Sequence, residues 1–430
     1  MEDRDVKRVI IVGGGFAGVN FIKQLKDDRR FHITLVDTNN YHFFPPLLYQ
    51  VSTAFIEPSN ICYPFRRQFR ETENLRFHLG SLLNVNTGGN FIETDTGILP
   101  YDILVLAVGT ETNYFGMENI KKCALPMKTI DDALNLRNHL LLSMEKAVRT
   151  TDKAEKERLL TVVIVGGGPT GVEVAGMLAE MGRRIVRKEY PEITDIQARI
   201  HLVDAGKVLL APMSKKAQEE ATKVLTRLGV QIKMNVLAKD YLDGKVILAN
   251  GESIATNSLI WASGVIGREV PGIPAGSIGR GRRIMVDEFN RVKGTENVYA
   301  LGDICLMTTD AKFANGHPQL AQVAIQQGKL LTTNLKRMEE NKPLKPFAYN
   351  DKGSMAIIAK YKAVGDLPKL FIKGLFAWLI WLFIHLIPIA GFRNKVRLAF
   401  SWFWSFITND PTLRLIIRPR EKDKESIRKV

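Results

Sequence analysis

The stretch that decides the fold is Val162-Val163-Ile164-Val165-Gly166-Gly167-Gly168-Pro169-Thr170-Gly171-Val172-Glu173. Its four aliphatic residues predict a buried β-strand, its glycines a tight turn, and the residues from Pro169 onward the first turn of a helix. A near copy lies at the N-terminus, Val9-Ile10-Ile11-Val12-Gly13-Gly14-Gly15-Phe16-Ala17-Gly18. A single G-x-G-x-x-G pattern is weak evidence, but two copies in the same context predict two dinucleotide-binding folds.

The glycines of each turn have separate roles. The first makes the tight turn, the second lets the backbone approach a pyrophosphate, and the third lets the helix pack closely on the strand. The pyrophosphate then meets free N–H groups at the positive end of the helix dipole. In this order the glycines are Gly13, Gly15 and Gly18 in the first copy and Gly166, Gly168 and Gly171 in the second. The alternative is a pair of glycine-rich turns without a ligand.

An acidic residue ends the next predicted strand in each copy. Asp37 lies 24 residues beyond Gly13, close to the offset of about 20 residues at which such an acid bonds a ribose. Asp204 lies 38 residues beyond Gly166, and the additional residues around 183–198 predict a longer helix and a loop. We expect both acids to bind ribose rather than to be ordinary turn residues. An acid at Asp204 would repel a 2′-phosphate, which favours NADH over NADPH.

Three further buried strands end in turns with functional residue types. They are 101–110, which ends in Gly109 and Thr110, 258–264, which ends in Gly264, and 297–303, which ends in Asp303. The first two echo each other, so the two halves look like repeats of one β-α-β design. Segments 75–84 and 91–95 predict short strands of a small β insertion, and 129–160 predicts a helical link.

Composition limits the function classes. A chain of 430 residues with 45% hydrophobic residues predicts two or three domains with substantial cores. The three cysteines are far apart and form no C-x-x-C, which disfavours a dithiol site and a cysteine-based metal site, and we expect no metal. The charged N-terminus has no apolar run, so we expect no signal peptide. The formal charge of +15 indicates an anionic partner, either nucleic acid or a membrane.

The C-terminal region favours the membrane over nucleic acid. Residues 351–430 contain fifteen Lys or Arg against six Asp or Glu, and four of the five tryptophans. Residues 374–391 are almost wholly apolar, but His385 and Pro388 leave too short an apolar helix to span a bilayer. Together with the aromatic segment that follows, they predict two interfacial helices and an anionic lipid surface at 370–410. A true span and a buried dimer interface are the alternatives.

Two other segments allow alternative interpretations. The aromatic, proline-rich loop Asn40–Gln50 is either a core-packing loop or a lid over an aromatic ring. Gln322 and Gln326 lie four residues apart and therefore share a face of the helix predicted to start near residue 319. On residue type alone, such a pair is an ordinary solvated polar stripe.

Over essentially its full length the chain resembles the type II, non-proton-pumping NADH:quinone oxidoreductases. The resemblance rests on the two glycine turns, the loop Asn40–Gln50, the turn Leu301–Asp303, the string Ala321–Gly328 and the aromatic C-terminus. It implies an α/β fold with two Rossmann-like dinucleotide-binding domains, one for FAD and one for NADH, and a C-terminal membrane-anchoring helical segment. The expected boundaries are 1–115 and 281–345 for the two parts of the FAD-binding domain, 116–280 for the NADH-binding domain and 346–430 for membrane association.

The resemblance also implies the residues of each site. Non-covalent FAD would be held by Gly13, Gly14, Gly15, Phe16, Ala17, Gly18, Asp37, Gly109, Thr110 and Asp303, with Ala321 and Gln322 beside its ring system. NADH would be held by Gly166, Gly168, Gly171, Glu173, Asp204 and Gly264. A membrane quinone would lie beside Gln322 and Gln326.

Glu173 is the candidate catalytic residue. It lies one helical turn beyond the second glycine turn, facing the expected position of a nicotinamide ring. A carboxylate there can orient the nicotinamide ribose or carboxamide, and can relay a proton if burial raises its pKa. The alternative is that Glu173 only complements the positive N-terminus of the helix.

The expected activity is oxidation of NADH by hydride transfer to FAD, followed by reduction of a membrane quinone to quinol without proton pumping. The alternatives are a sulfide:quinone reductase, which would need paired redox cysteines, a ferredoxin-type reductase, which would not need a membrane segment, and a non-catalytic, membrane-tethered flavoprotein that senses NADH. We expect monotopic, peripheral attachment, with the nucleotide-binding domains on the cytoplasmic side of the cell membrane if the organism is bacterial. A homodimer is a further option.

Overall fold

The computed structural model describes residues 6–194, 196, 199–408 and 414–417. In chain order, the strands in these ranges are β1 (Lys7–Val12), β2 (Phe31–Asp37), β3 (Tyr41–Phe43), β4 (Cys62–Pro64), β5 (Leu75–Leu79), β6 (Leu82–Asn86), β7 (Phe91–Thr94), β8 (Gly97–Pro100), β9 (Ile103–Leu106), β10 (Thr110–Thr112), β11 (Leu125–Pro126), β12 (Val162–Val165), β13 (Ile200–Asp204), β14 (Gln231–Met234), β15 (Ala238–Leu242), β16 (Lys245–Leu248), β17 (Ser253–Ala255), β18 (Ser258–Trp261), β19 (Val265–Gly267), β20 (Ile284–Val286), β21 (Val298–Ala300), β22 (Cys305–Met307), β23 (Ser354–Ala359), β24 (Lys362–Leu367) and β25 (Leu370–Lys373).

The α-helices in the same ranges are α1 (Phe16–Leu25), α2 (Leu48–Ser52), α3 (Phe65–Gln68), α4 (Glu118–Cys123), α5 (Ile130–Arg149), α6 (Lys153–Leu160), α7 (Pro169–Met181), α8 (Arg187–Glu189), α9 (Lys215–Arg227), α10 (Ala321–Glu339), α11 (Gly374–Leu386) and α12 (Phe392–Thr408). The predicted helical link at 129–160 is therefore the pair α5 and α6. Thr129 begins α5 with a capping box, in which its hydroxyl accepts from the Asp132 N–H and the Asp132 carboxylate accepts from the Thr129 N–H.

Two parallel sheets of the same design form the centre of the molecule. The first has the strand order β21-β9-β1-β2-β5 and the second β11-β18-β12-β13-β14. All neighbouring strands in both sheets run parallel. The aliphatic residues of the inner strands β1 and β12 are buried, as uninterrupted apolar runs predict for strands covered on both faces. The expected α/β class with two Rossmann-like units is confirmed.

The edge strand of the first sheet corrects the sequence analysis. We expected residues 75–84 to join 91–95 in a small β insertion, but 75–79 form β5, which pairs parallel to β2. Only β6, β7 and β8 form the antiparallel insertion. The expectation was wrong because an alternating, half-exposed run such as Leu75–Leu79 predicts a strand without indicating its partner.

A two-stranded antiparallel ribbon joins the two sheets. Strand β10 begins directly after Gly109, at the turn that follows β9, and β19 begins directly after Gly264, at the turn that follows β18. The ribbon pairs Thr110 with Gly267 and Thr112 with Val265. Ligands of open α/β sheets bind outside the carboxyl ends of the strands. The ribbon therefore brings the ligand-binding edges of both sheets side by side.

The aromatic loop Asn40–Gln50 is a packing element. Phe44 and Tyr49 are buried in the cluster that α5, α7 and the C-terminal strands share. The Gln50 side-chain oxygen accepts a 2.8 Å hydrogen bond from the indole N–H of Trp402 in α12. Of the two alternatives left open by the sequence, core packing is the one that the structure supports.

The C-terminal sheet is packed against the second dinucleotide unit. Strands β23, β24 and β25 form an antiparallel sheet, and the interior of α7 lies directly on β23. At Gly176, an added Cβ would overlap the carbonyl oxygen of Ile358. The helix can approach the strand this closely because that position has no side chain.

The last two helices each have a buried and an exposed face. Helix α11 buries Ala377, Trp378 and Trp381 and exposes large apolar residues, namely Leu375, Phe376, Leu379, Phe383 and Ile384. It ends two residues before Pro388, as expected. Within the described ranges, no helix has the length and apolar character needed to cross a bilayer. Residues 409–410 of the predicted lipid surface, and the basic residues from Arg418 onward, lie outside those ranges.

We expect Gly176→Ala to lower the free energy of unfolding by about 1–3 kcal/mol or more, because its methyl group would force α7 away from β23. Gly182→Ala is the matched control. Gly182 has helical φ and ψ angles of −57° and −42° and no atom within 4 Å of an added Cβ. That substitution should leave stability unchanged or raise it by up to about 1 kcal/mol. Urea unfolding followed by circular dichroism makes the comparison, and equal midpoints for the two variants would contradict this packing.

Candidate active site

The first glycine turn connects β1 to α1 and leaves one open position. Gly13 has φ +105°, and an added Cβ there would overlap the Ala107 carbonyl oxygen. An added Cβ on Gly18 would overlap the Gly13 carbonyl oxygen, so α1 can approach the turn only with glycine at that position. At Gly15, by contrast, no atom lies within 4 Å of an added Cβ. Of the three motif glycines, Gly13 and Gly18 are therefore required by packing and Gly15 faces open space, while a Cβ on the neighbouring Gly14 would overlap the Phe65 ring.

The second turn, between β12 and α7, repeats this arrangement. Gly166 has φ +121° and lies against the Ala262 carbonyl oxygen at the place where a Cβ would stand. Gly171 lies in the same way against Gly166, and Gly168 has open space. The two copies are equivalent in geometry as well as in sequence.

The acid at the end of the second strand holds each turn in place. One carboxylate oxygen of Asp37 accepts from the Gly14 N–H at 2.6 Å, and the other accepts from the Asn39 N–H at 2.7 Å. Asp204 does the same, accepting from the Gly167 N–H and from the Gly206 N–H, each at 2.5 Å. Burial raises the pKa of Asp37, although these hydrogen bonds oppose the shift. The role of both acids as ribose ligands stays a prediction.

The geometry of the turns fits a dinucleotide. Neither α1 nor α7 has a side chain capping its N-terminus, so the first N–H groups of each helix are open to an anion. The glycine at each N-cap, Gly15 and Gly168, removes the Cβ that would fill the adjoining space. Free N–H groups beside an open backbone are the arrangement that binds a pyrophosphate. Phe16 and Ala17 begin α1 at this point, with the Phe16 ring edge-on to Phe44 at 5.5 Å.

Thr110 and Asp303 lie together at the carboxyl edge of the first sheet, as expected, and a lysine joins them. The ammonium group of Lys128 donates to the Thr110 hydroxyl at 2.6 Å. Burial raises the pKa of Asp303, and the positive charges of Lys128 and Arg283 oppose that rise. Burial lowers the pKa of Lys128, with Asp303 opposing. Lys128 follows β11 of the second sheet, so it extends from that sheet to residues of the first.

The two glycines that precede the ribbon strands also differ in their surroundings. Gly109 has φ +70° and nothing near an added Cβ, so it borders open space like Gly15. Gly264 has φ +80° and lies against the Phe115 ring. Both need the left-handed conformation that glycine adopts without strain.

Glu173 lies inside α7 beneath the C-terminal sheet. Its side chain is 9% exposed, and burial raises its pKa well above the ordinary value, opposed by a hydrogen bond from the Ile357 backbone. The buried Tyr49 lies close to Glu173. Burial raises the pKa of the Tyr49 hydroxyl, and the negative charge of Glu173 adds to that shift. The first turn of α7 contains no acid, and helix-dipole effects are confined to that turn. A purely electrostatic role at the helix N-terminus is therefore disfavoured.

The two glutamines of α10 form paired hydrogen bonds with the segment that enters the C-terminal sheet. Gln322 donates to the Gly353 carbonyl at 3.0 Å and accepts from the Lys352 N–H at 3.2 Å. Gln326 donates to the Asn350 carbonyl at 2.9 Å and accepts from the Asn350 N–H at 3.0 Å. The solvated stripe suggested by residue type is therefore wrong. Contact of Ala321 and Gln322 with a flavin, and of both glutamines with a quinone, stays a prediction.

Two residues of this region were missed by the sequence analysis. Besides Lys128, the other is His42, of which only 6% is exposed. The His42 Nδ1–H donates to the Gly14 carbonyl at 2.9 Å, and burial lowers the pKa of the ring to about 4, so the imidazole is neutral. Lys128 was missed because the strand just before it, β11, has only two residues and is too short to give a recognisable strand pattern.

Two family descriptions match the chain. Residues 7–328 match the pyridine nucleotide-disulphide oxidoreductase family, and residues 352–409 match the NDH2 C-terminal domain. Solved structures share the fold. NDH2 from Plasmodium falciparum in complex with NADH has a TM-score of 0.87 at 21% identity, covering 96% of this chain and 100% of that one. The sulfide:quinone oxidoreductase of Aquifex aeolicus has a TM-score of 0.70 at 16% identity, covering 99% and 96%.

Sequence relatives distinguish between the families that share this fold. The chain is 38% identical over 417 residues to the type II NADH:quinone oxidoreductase NdhA of Mycobacterium tuberculosis, which covers 93% of this chain and 87% of that protein. It is 33% identical to the type II NADH:quinone oxidoreductase Ndh of the same organism, covering 93% and 88%. Identity of this level over nearly the whole length, together with the two equivalent glycine turns, confirms the resemblance: the chain belongs to the type II NADH:quinone oxidoreductase family.

Proposed function

We propose that the protein is an FAD-dependent NADH:quinone oxidoreductase that works at a membrane surface without pumping protons. The observation that carries this proposal is the ribbon of β10 and β19, which brings together the ligand-binding edges of two sheets with equivalent glycine turns. Two dinucleotides bound at those edges lie close enough for one to reduce the other. Each turnover converts NADH, a quinone and one proton into NAD⁺ and quinol.

FAD binds non-covalently to the first unit. The turn supplies free N–H groups for its pyrophosphate, Asp37 bonds the adenosine ribose, and Asp303 with Thr110 bonds the ribityl chain. The remaining contacts come from Gly13, Gly14, Gly15, Phe16, Ala17, Gly18, Gly109, Ala321 and Gln322. When bound, FAD supplies two-electron chemistry, accepting a hydride from NADH and giving both electrons to the quinone. Lys128 adds a positive charge beside Asp303, which favours negative charge on a neighbouring ligand.

NADH binds to the second unit through Gly166, Gly168, Gly171, Asp204 and Gly264. Asp204 disfavours the 2′-phosphate of NADPH by charge repulsion, so NADH is the preferred donor. Glu173 orients the nicotinamide end and, because burial raises its pKa well above the ordinary value, can hold a proton there. Gln322 and Gln326 border the quinone position. They do so from a rigid helix, since both amides are fixed by the 350–353 backbone.

The helices α11 and α12 attach the protein peripherally to the membrane. Their exposed aromatic and aliphatic side chains enter the interfacial region, and Lys and Arg of residues 370–410 meet anionic lipids. In a bacterium the nucleotide-binding units then face the cytoplasm, where NADH is made available. A homodimer formed through the same exposed helix faces is the competing use of this surface.

Visible spectroscopy of the purified protein tests the function. The visible absorption band of bound flavin should bleach when NADH is added without oxygen and return when a short-chain quinone follows. Protein without flavin, or flavin that NADH does not bleach, would overturn the proposal. Flavin that is reduced by NADH but not reoxidised by quinone would favour the NADH-sensing alternative.

The same glycine-to-alanine change at the open position of each turn should produce a different defect in each. Gly15→Ala should fold normally, because its Cβ meets no protein atom, but should lower FAD affinity about tenfold or more by entering the pyrophosphate space. Gly168→Ala should keep full FAD content and raise the KM for NADH about tenfold. Flavin-to-protein absorbance ratios and steady-state kinetics measure these effects. Full FAD content in Gly15→Ala would exclude this turn as the FAD site.

Glu173→Gln should slow turnover by about 10²–10⁴-fold if the carboxyl group transfers a proton, while FAD content is retained. The same variant should be more stable above about pH 4.5. Because the folded-state pKa is raised above the ordinary value of 4.5, the wild-type protein loses stability as pH rises from 4.5 to the folded pKa, and Gln does not. Glu219→Gln, at an exposed position of α9, is the control that should change neither property. Unchanged turnover would remove Glu173 from the mechanism.

A further inference from the structure

A pocket of about 300 Å³ lies at the base of α12. It is formed where the hairpin of β3 and β4 meets the first turns of the last helix. Its lining residues are Asn40, Tyr41, Ser59, Cys62, Tyr63, Pro64, Arg67, Arg393, Asn394 and Arg397. Three of them are arginines, contributed by two parts of the chain more than 300 residues apart. No part of the site described above uses this pocket.

The three arginines have no acidic partners among the described residues. No carboxylate there lies within the 4.0 Å ion-pair distance of Arg67, Arg393 or Arg397. Three carboxylates do lie near the lining. Glu57 accepts from the Ser59 hydroxyl at 3.1 Å, and the charges of Asp131 and Asp37 add to burial in raising the pKa of Tyr41. None of the three forms an ion pair with an arginine of the pocket, so the guanidinium groups keep their donors for another anion. Arginine is also the side chain best suited to bidentate contact with a phosphate.

Two contacts order parts of the pocket wall. The Asn394 side chain donates to the Cys62 carbonyl at 2.9 Å, which ties α12 to the hairpin. The Arg67 guanidinium lies over the Tyr63 ring, 5.8 Å from its centroid. Burial raises the pKa of Tyr41 to about 12, so its hydroxyl keeps its proton and remains a donor.

The position of the arginines on α12 indicates what the ligand is attached to. The helix buries Asn394, Leu398 and Trp402 as one stripe. Large apolar side chains at the i, i+4 and i+8 positions form an exposed stripe, Phe392, Val396 and Phe400, joined by Phe403. Arg393 and Arg397 lie between the two stripes, since each residue turns the helix by about 100°. A phosphate held there would be at the border between protein and the exposed apolar surface.

A second group of cations lies on the other side of the same helix turn. Lys395 and Lys329 lie close to Lys23. Burial lowers the pKa of the Lys23 ammonium group, and the positive charges of the other two lysines lower it further. The base of α12 is therefore positive on both sides. Such a field attracts a negatively charged surface and not only a small ion.

We propose that this pocket binds the phosphate group of an anionic phospholipid, whose acyl chains continue along the exposed apolar stripe of α12. The shared chemistry is that of a phosphate, which free inorganic phosphate also offers, but the adjoining apolar stripe favours the lipid. The inference rests on the proposed membrane attachment and adds to it a defined headgroup site that includes Arg67, a residue outside the C-terminal region.

The test compares binding of the intact flavoprotein to three kinds of vesicle. One is phosphatidylcholine alone, one contains phosphatidylglycerol, and one carries the same surface charge from oleate, which has no phosphate. We expect the wild-type protein to bind phosphatidylglycerol vesicles about tenfold more tightly than oleate vesicles. The triple variant Arg67→Gln, Arg393→Gln, Arg397→Gln should lose this preference and bind both equally.

A charge-matched control separates the pocket from general electrostatics. The variant Arg66→Gln, Arg70→Gln, Arg76→Gln removes three charges from the same region, but none of these residues lines the pocket. It should retain the preference for phosphatidylglycerol. All variants should keep the flavin spectrum and the rate of NADH oxidation with a short-chain quinone, which shows that they are folded.

Each other outcome overturns a defined part of the proposal. Equal binding of the pocket variant and the control overturns the headgroup site and leaves membrane attachment intact. A wild-type protein that binds inorganic phosphate, as the triple variant does not, yet shows no preference for phosphatidylglycerol over oleate vesicles identifies the ligand as free phosphate and overturns the lipid. A wild-type protein that binds none of the vesicles overturns membrane attachment together with the site, whereas quinone reduction is judged independently by the flavin spectrum.

Discussion

The structure depends on the close approach of a helix to a glycine turn, which occurs once between β1 and α1 and again between β12 and α7. In each turn the central residue, Gly14 or Gly167, is fixed by hydrogen bonds to both its N–H and its carbonyl. Its N–H is bonded by the acid at the end of the second strand, Asp37 or Asp204. Its carbonyl is bonded by a different group in each copy, the His42 ring in the first and the Leu210 N–H in the second. The glycines that permit this geometry also leave the N-terminus of the helix open to an anion, so one constraint determines both the fold and the ligand sites.

The sequence predicted what is local. Each turn, the strand before it and the first turn of the helix after it lie within about a dozen consecutive residues, so periodicity and glycine spacing are sufficient to identify them. Asp204 was recognised although it lies 38 residues from Gly166. The additional residues form a π-helical turn at Gly182–Val186, α8 and a short 3₁₀ segment at Pro191–Ile193, after which β13 pairs in the same register as β2 does with β1. An insertion that returns to the same sheet position leaves the strand end unchanged.

What the sequence did not predict depends on distant partners. Lys128 joins Thr110 and Asp303 only because the second sheet is placed beside the first. His42 braces a turn 28 residues away, and β5 took a place in a parallel sheet that its alternating pattern could not specify. The glutamines of α10 looked like a surface stripe because nothing nearby in sequence could bond them. Side chains whose partners lie far along the chain have no signature in one sequence.

The attachment of residues 350–353 to α10 has a consequence for how the C-terminal part can vary. Gln322 and Gln326 bond only peptide groups of that connector, and not its side chains. Side-chain changes in the connector therefore leave these four hydrogen bonds in place, although the Asp351 carboxylate accepts from the Gly353 N–H at 2.9 Å and is itself part of the turn. Proline at 350 or 352 would remove an N–H that is bonded, and Gly353 has φ +89° with its Cβ position filled by the Asp366 carbonyl. The C-terminal sheet and the helices after it are thus joined to α10 through main-chain groups, so their sequences can diversify while the alignment of the two parts is preserved.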